Sequence, residues 1–218
     1  MKLYSYWRSV TAYRVRIALN LKGVDAEIIP VDIMDGAQRD DDFVALNPAM
    51  GVPVLLLDDG TVLSQSMAII DWLDSAYPEP AFLPENPIGR SLVNAATQVI
   101  TTDVHPVNNL RVVQRLELMG HSKDEITDWM LHWMTEGLRG FQSMILPDTP
   151  FAFGNAPGLA DICLVAQLYN GRRWGLNMTP FERVSEIEAN CLELEPFLNA
   201  QPEKQPDTPP KGPPKLDA

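Results

Sequence analysis

Residues 2–23, KLYSYWRSVTAYRVRIALNLKG, decide the fold. A short run from Lys2 to Tyr6 precedes Val10, Tyr13, Ile17 and Leu21, whose steps of three and four put them on one helix face. Gly23 stands where a helix C-terminus expects it. The segment reads as a strand, a turn and a helix. Further on, 26–31 (AEIIPV) is a second strand candidate, and after the acidic stretch 35–42 come 54–57 and 61–63, joined by Asp58-Asp59-Gly60. Asp-Gly between apolar runs signals a tight hairpin. Ser66 then stands as N-cap before Met67, Ile70, Leu73 and Tyr77, a helix stopped near Pro78 and Pro80.

The order is βαβ, a loop with a short helix, then ββα. A βαβ unit wants parallel strands and the hairpin adds antiparallel ones, so a mixed four-stranded sheet with packed helices is expected. This is the order of the thioredoxin fold. From about Pro87, long helical patterns take over at 90–118, 123–146, 160–169 and 182–197. The expected class is α/β plus all-α: a thioredoxin-like domain over 1–80, a linker at 81–87, an all-helical domain over 88–200 and a Pro-rich tail over 201–218. In that tail Pro202, Pro206, Pro209, Pro210, Pro213 and Pro214 forbid regular helix or central strand.

The 218 residues are 45% apolar and 21% charged, enough to bury a real core. A formal net charge of −12 argues against phosphate backbones and anionic lipid as partners. No window approaches the roughly 18 consecutive apolar residues of a membrane helix, and the opening lacks a secretory pattern. A cytoplasmic protein is expected. Cys163 and Cys191 have no Cys or His at metal-ligand spacing, so buried packing thiols are expected, without disulfide or metal.

Three features carry chemistry. Ser9 and Thr11 lie at the first strand-to-helix turn, where a hydroxyl beside the positive end of a helix can keep a thiolate ionised; plain capping is the other reading. Gly51-Val52-Pro53 enters a strand, so Val52 could offer its N–H and C=O to an extended peptide beside a cis proline, or Pro53 is an ordinary loop proline. Gln65-Ser66 sits where unpaired helix N–H groups favour a carboxylate, or where a helix is simply capped.

Longer stretches carry a resemblance: Tyr6 to Gly23, ALNP (45–48) with GVPVL (51–55), SQSMAIIDWL (64–73), HPVNNLRV (105–112), LADICLVAQ (159–167) and QPDTP (205–209). Together, in this order, they resemble the zeta-class glutathione transferases, the family of maleylacetoacetate isomerase and the bacterial maleylpyruvate isomerases. The resemblance implies glutathione bound in the thioredoxin-like domain, an acidic-substrate pocket between the domains and a homodimer. By position, Ser9 would face the glutathione sulfur with Thr11 beside it. Val52, across a cis Pro53, would pair with the cysteinyl part, and Gln65 and Ser66 would hold the γ-glutamyl end. His105 and Asn109 would reach the glycyl end or the sulfur, although His105 alone is equally a packing residue. Arg8 and Arg173 would hold the carboxylates of a dianionic substrate, while Arg172 is a helix-terminal cation.

The implied reaction is cis–trans isomerisation of a maleyl keto acid by reversible thiolate addition, on maleylacetoacetate from tyrosine breakdown or maleylpyruvate from gentisate breakdown. A general transferase or peroxidase acting on other electrophiles such as haloacids, and a non-catalytic glutathione-binding protein, remain open at this point. Two departures stand out. The family's Ser-Ser-Cys-Ser reads Ser9-Val10-Thr11-Ala12, and its Ser/Thr-x-x-Asp box reads Gly158-Leu159-Ala160-Asp161, leaving Asp161 as a structural acid.

Overall fold

The computed structural model describes residues 1–210; Pro213 and Pro214 of the tail lie outside the described residues. The chain divides into two compact units: Met1–Ala81 together with the segment from Leu194, and Phe82–Glu193.

In the first unit, β1 (Lys2–Ser5) pairs in parallel with β2 (Glu27–Pro30), with Leu3 opposite Ile28. On its other side it pairs antiparallel with β3 (Val54–Leu56), with Leu3 opposite Leu55. β4 (Val62–Ser64) completes the order β2-β1-β3-β4. The parallel pair is reached through α1 (Val10–Lys22), because parallel neighbours need a crossover that a turn cannot supply. β2 is an edge strand, which is why it tolerates Pro30. The turn between β3 and β4 is wider than the expected tight hairpin. Leu57 N–H already bonds the Thr61 carbonyl at 2.9 Å, and Gly60 takes φ 87° at the tip.

The periodicity placed Val10, Tyr13, Ile17 and Leu21 on one buried face of α1. Burial extends much further, taking in Ala12, Arg14, Val15, Arg16, Ala18 and Leu19, while Leu21 is only half-buried. α3 (Ser66–Ala76) and α9 (Glu195–Ala200) both pack against α1, so more than one face is covered. Gly23 ends α1 at φ 64°, its N–H on the Asn20 carbonyl, a left-handed stop that costs glycine little. A further short helix, α2 (Asp41–Leu46), carries Phe43, which is buried with Val31 and Val54.

At the C-terminal end the helical pattern expected over 182–197 is broken. α8 (Glu182–Leu192) stops, Leu194 N-caps α9, and Pro196 falls in its first turn, where a missing N–H is harmless. α9 groups with the first unit, so the expected helical domain does not run to 200 as one body. The described part of the Pro-rich tail is also ordered locally. Pro202–Lys204 forms a 3₁₀ turn, and buried Gln205 donates to the Gln201 carbonyl at 2.8 Å.

The second unit comprises α4 (Pro87–Gln98), α5 (Leu110–Leu118), α6 (Lys123–Met144), α7 (Leu159–Arg173) and α8. The helix expected over 90–118 is therefore interrupted. Val99–Val104 widens into a π-helical turn, and Pro106–Asn108 then tightens into a 3₁₀ turn, Pro106 having no N–H with which to continue the ladder. α6 starts from a capping box, Ser122 with Glu125, and buries Ile126, Met130, Met134, Leu138 and Phe141 along one stripe. Trp129 donates its indole N–H to the Val107 carbonyl at 2.9 Å and meets Trp133 edge-on.

Asp161, in the first turn of α7, is only 2% exposed. Its two oxygens accept the N–H of Ala152 and the N–H of Gly158, each at 2.8 Å, so one carboxylate ties the loop before α7 to the helix start. The missing Ser or Thr at 158 has a steric cause: a Cβ there would lie 2.8 Å from the Phe82 carbonyl oxygen. Burial pushes the Asp161 carboxyl up to about 6, against the two N–H bonds and the nearby Arg183.

Because the folded state holds this proton more tightly than the unfolded chain, the carboxyl favours folding most below its ordinary value of 3.8, and that contribution is lost as the pH rises through about 6. Chemical denaturation from pH 4 to 7 should show the parent chain losing up to roughly 3 kcal/mol relative to Asp161→Asn. Asp161→Ala, which strands both N–H groups, should cost about 2–4 kcal/mol at neutral pH.

Candidate active site

In the first unit the site forms around the N-terminus of α1. Ser9 is its N-cap: Ser9 Oγ accepts the Ala12 N–H at 3.3 Å, and Ser9 N–H donates to the Tyr6 carbonyl at 2.9 Å. Ser9 Oγ and Thr11 Oγ1 are 3.0 Å apart, and the Thr11 hydroxyl donates to the Val52 carbonyl at 2.9 Å. The hydroxyl pair and the proline-led strand are thus joined directly.

The Val52–Pro53 bond is cis. Val52 is half-buried, and its N–H makes no hydrogen bond among the described residues. The register brings the third feature alongside: Val54 pairs with Ser64, so Pro53 and Gln65 each follow directly outside that pair. Gln65, not Ser66, is the N-cap of α3, which corrects the sequence expectation. It holds φ 71° and gives no side-chain cap, so the first-turn N–H groups of α3 are not closed off by their own cap residue. Ser66 becomes the first helical residue and is 4% exposed.

Two residues outside the sequence-predicted set fix this turn. Arg16, 3% exposed, reaches back from α1 to Ser5 Oγ at 3.0 Å, the Trp7 carbonyl at 2.8 Å and the Ala200 carbonyl at 3.0 Å. Asp207 accepts the Trp7 N–H at 2.8 Å. An arginine inside a run of buried apolar positions was the available sign for Arg16; an acid within the QPDTP tail was the sign for Asp207. Arg8 follows Trp7, and its guanidinium lies 5.8 Å and 5.6 Å from the ring centres of Tyr6 and Trp7. These ring contacts are the only interactions it makes among the described residues.

The remaining candidates belong to the second unit. His105 closes the π-helical turn, its N–H on the Ile100 carbonyl, and Asn109 N-caps α5 by accepting the Arg111 N–H at 3.2 Å. Arg173 lies half-buried in the last turn of α7 and donates to Asn170 Oδ1 at 3.2 Å. Its neighbour is committed elsewhere: Arg172 grips the buried Glu188 carboxylate through Nε and Nη2, and those bonds push the guanidinium pKa up. Cys163 and Cys191 are buried, and burial pushes the Cys191 thiol up, which keeps it protonated. Among the described residues no helix is long and apolar enough to cross a membrane, and no His, Cys, Asp and Glu cluster could hold a metal ion.

The family model described as glutathione S-transferase, N-terminal domain, matches residues 8–76, which include Ser9, Val52 and Gln65. The first unit therefore carries a glutathione transferase N-terminal domain. A maleylacetoacetate isomerase from Pseudomonas aeruginosa is 39% identical over 211 residues, covering 96% of this chain and 99% of its own length. The holo structure of maleylpyruvate isomerase, described as a bacterial zeta-class glutathione S-transferase, superposes with a TM-score of 0.93 at 39% identity, covering 96% of this chain and all of that one. A maleylacetoacetate isomerase from Anaeromyxobacter dehalogenans, with dicarboxyethyl glutathione and citrate bound in its active site, gives a TM-score of 0.84 at 38% identity over 96% of this chain and 97% of that one. The chain belongs to the zeta class of glutathione transferases, the family of the maleylacetoacetate and maleylpyruvate isomerases.

Asp207→Ala leaves the N–H of Trp7 without its acceptor. The expected outcome is faster amide exchange at Trp7 and a loss of about 1–2 kcal/mol in chemical denaturation, with Asp207→Asn falling less.

Proposed function

We propose that this protein is a glutathione-dependent isomerase that converts a maleyl keto acid, maleylacetoacetate or maleylpyruvate, to its fumaryl isomer. The observation that carries the reading is the set of backbone and hydroxyl groups gathered at one end of the sheet. Among the described residues the Val52 N–H has no partner, the start of α3 lacks a side-chain cap, and the Ser9 hydroxyl sits on the N-terminus of α1. An extended tripeptide with a carboxylate at one end and a thiol in the middle fits that set.

Bound glutathione supplies the nucleophilic thiolate that, by reversible addition, loosens the cis double bond for rotation. Every other requirement falls on the chain. Val52 and Pro53 align the peptide as an added strand, and Gln65 with Ser66 holds its γ-glutamyl end. Ser9 and the partial positive charge of α1 keep negative charge on the sulfur, as helix N-termini do for cysteine thiolates. His105 and Asn109 act on the glycyl end or the sulfur.

Arg8 and Arg173 take the carboxylates of the dianionic substrate through the planar guanidinium fork. For Arg8 the support is direct, since its donors are spent on no other group among the described residues. Positive donors near the developing enolate lower the barrier to thiolate addition, after which rotation is about a single bond. A homodimer working in the cytoplasm is part of the same proposal and rests on family membership.

Loss of the maleyl chromophore, followed with each keto acid in the presence and absence of catalytic glutathione, tests this reading. Strict dependence on glutathione without its consumption is expected. Ser9→Ala should mainly lower turnover, and Arg173→Ala should mainly raise the Michaelis constant, each by about tenfold or more. Isomerisation that proceeds equally well without glutathione would overturn the proposal, as would conjugation of haloacids with no isomerisation of either keto acid.

A further inference from the structure

Resting on the glutathione reading above, we infer that Thr11 is a positioning residue whose single hydroxyl hydrogen decides whether Ser9 can donate to a bound thiolate. Each hydroxyl has one hydrogen to give. Thr11 donates to the Val52 carbonyl at 2.9 Å, so the 3.0 Å bond between Ser9 Oγ and Thr11 Oγ1 is made with the hydrogen of Ser9. Ser9 Oγ also accepts the Ala12 N–H. In this state Ser9 has no hydrogen left for a sulfur.

One rotation changes that. Thr11 Oγ1 lies within bonding distance of both the Val52 carbonyl and Ser9 Oγ, so turning its O–H from the first to the second needs no movement of a heavy atom. The hydrogen of Ser9 is then released. With Thr11 and the Ala12 N–H both donating to Ser9 Oγ, the Ser9 O–H becomes a stronger donor than either bond alone would make it. A thiolate rewards the change, since a hydrogen bond to an ion is roughly twice as strong as a neutral one.

The trigger lies at Val52. Among the described residues its carbonyl has a donor only while Thr11 points at it, and its N–H is unpaired beside it. A peptide that lies along Val52 and donates its own N–H to that carbonyl replaces the hydroxyl, so no buried acceptor is stranded when Thr11 turns away. Docking of the tripeptide backbone and readiness of Ser9 are thereby coupled through Thr11. Neither group contacts the other's ligand atom; the hydroxyl passes the information.

The experiment measures the thiol pKa of bound glutathione from its ultraviolet thiolate band in the full-length protein, in Thr11→Val, Thr11→Ser, Thr11→Ala, Ser9→Ala and the Ser9→Ala/Thr11→Val double variant. S-methylglutathione, which has the backbone but no thiol, reports docking alone. Ser9→Ala should raise the thiol pKa by about one pH unit or more, and Thr11→Val and Thr11→Ala by roughly half a unit, with Thr11→Ser restoring the parent value. In the Ser9→Ala background, Thr11→Val should add nothing, and S-methylglutathione should bind Thr11→Val as tightly as the parent.

An unchanged or lowered thiol pKa in the Thr11 variants would overturn the inference. So would an equal rise in the Ser9→Ala background, which marks direct contact with sulfur, or a loss of S-methylglutathione affinity of about tenfold, which marks a merely structural role. An unchanged thiol pKa in Ser9→Ala would overturn it too, whereas the glutathione reading itself fails separately, by neither glutathione nor S-methylglutathione binding the parent protein.

Discussion

Arg16 is the constraint on which the first unit turns. It sits within the most buried helix of that unit, and its guanidinium bonds Ser5, Trp7 and Ala200, groups from β1, from the turn before α1 and from α9. A buried guanidinium is tolerated only when its donors are satisfied, so the surrounding carbonyls must converge on it. That requirement bends the chain after β1 into the turn that carries Arg8 and Ser9. It also explains why α9 and the residues after it return to the first unit, since the Ala200 carbonyl is among the acceptors. Asp207 holds the same turn through the Trp7 N–H.

Much of the sheet was legible because its cause is local. Two strands joined by a helix crossover pair in parallel, and an Asp-Gly pair between apolar runs returns the chain antiparallel; the pairs β1 with β2 and β3 with β4 follow from those two facts, whereas the antiparallel pairing of β1 with β3 that completes the order has no local cause. What local pattern could not show were effects of distant chain. α1 reads as a one-sided helix, and only packing by both α3 and α9, the latter some 170 residues later, buries more than the apolar stripe, Arg16 bonding the Ala200 carbonyl of α9. The break between α4 and α5 was visible as Pro106 but was read through. The π-helical turn before it was less legible: Val99, Ile100, Thr101, Thr102 and Val104 are β-branched and weaken any helix, but that does not select a π turn over a simple break.

The candidate site was legible in the same uneven way. Ser9, Thr11 and Val52 were separate features in the sequence, each with a bland explanation in capping or loop geometry. Their union rests on one bond between the Thr11 hydroxyl and the Val52 carbonyl, across 41 positions of chain, which no spacing rule encodes. Gln65 shows the opposite error. Serine is a far better cap than glutamine, so propensity favoured Ser66. The chain instead places Gln65 at positive φ and leaves the start of α3 without a side-chain cap, a backbone conformation that no capping preference encodes.

Charge decides how such a site can take an anion at all. The chain is acidic, yet from Met1 to Val24 it carries Lys2, Arg8, Arg14, Arg16 and Lys22 and no acid, so positive charge is concentrated around α1. Screening makes this arrangement sufficient: beyond about 8 Å at physiological salt the acidic remainder of the surface contributes little, and a dianion near the turn responds to the nearest groups. Those cations are not equivalent. Arg16 is consumed by Ser5, Trp7 and Ala200, and Lys22 by Asp74 and the Pro80 carbonyl. Among the described residues Arg8 rests only against aromatic rings, and such contacts leave the edge donors of a guanidinium for a carboxylate. The same short basic segment is therefore divided, the buried arginine shaping the turn and Arg8 keeping its edge donors for the anion that the proposed function assigns to it.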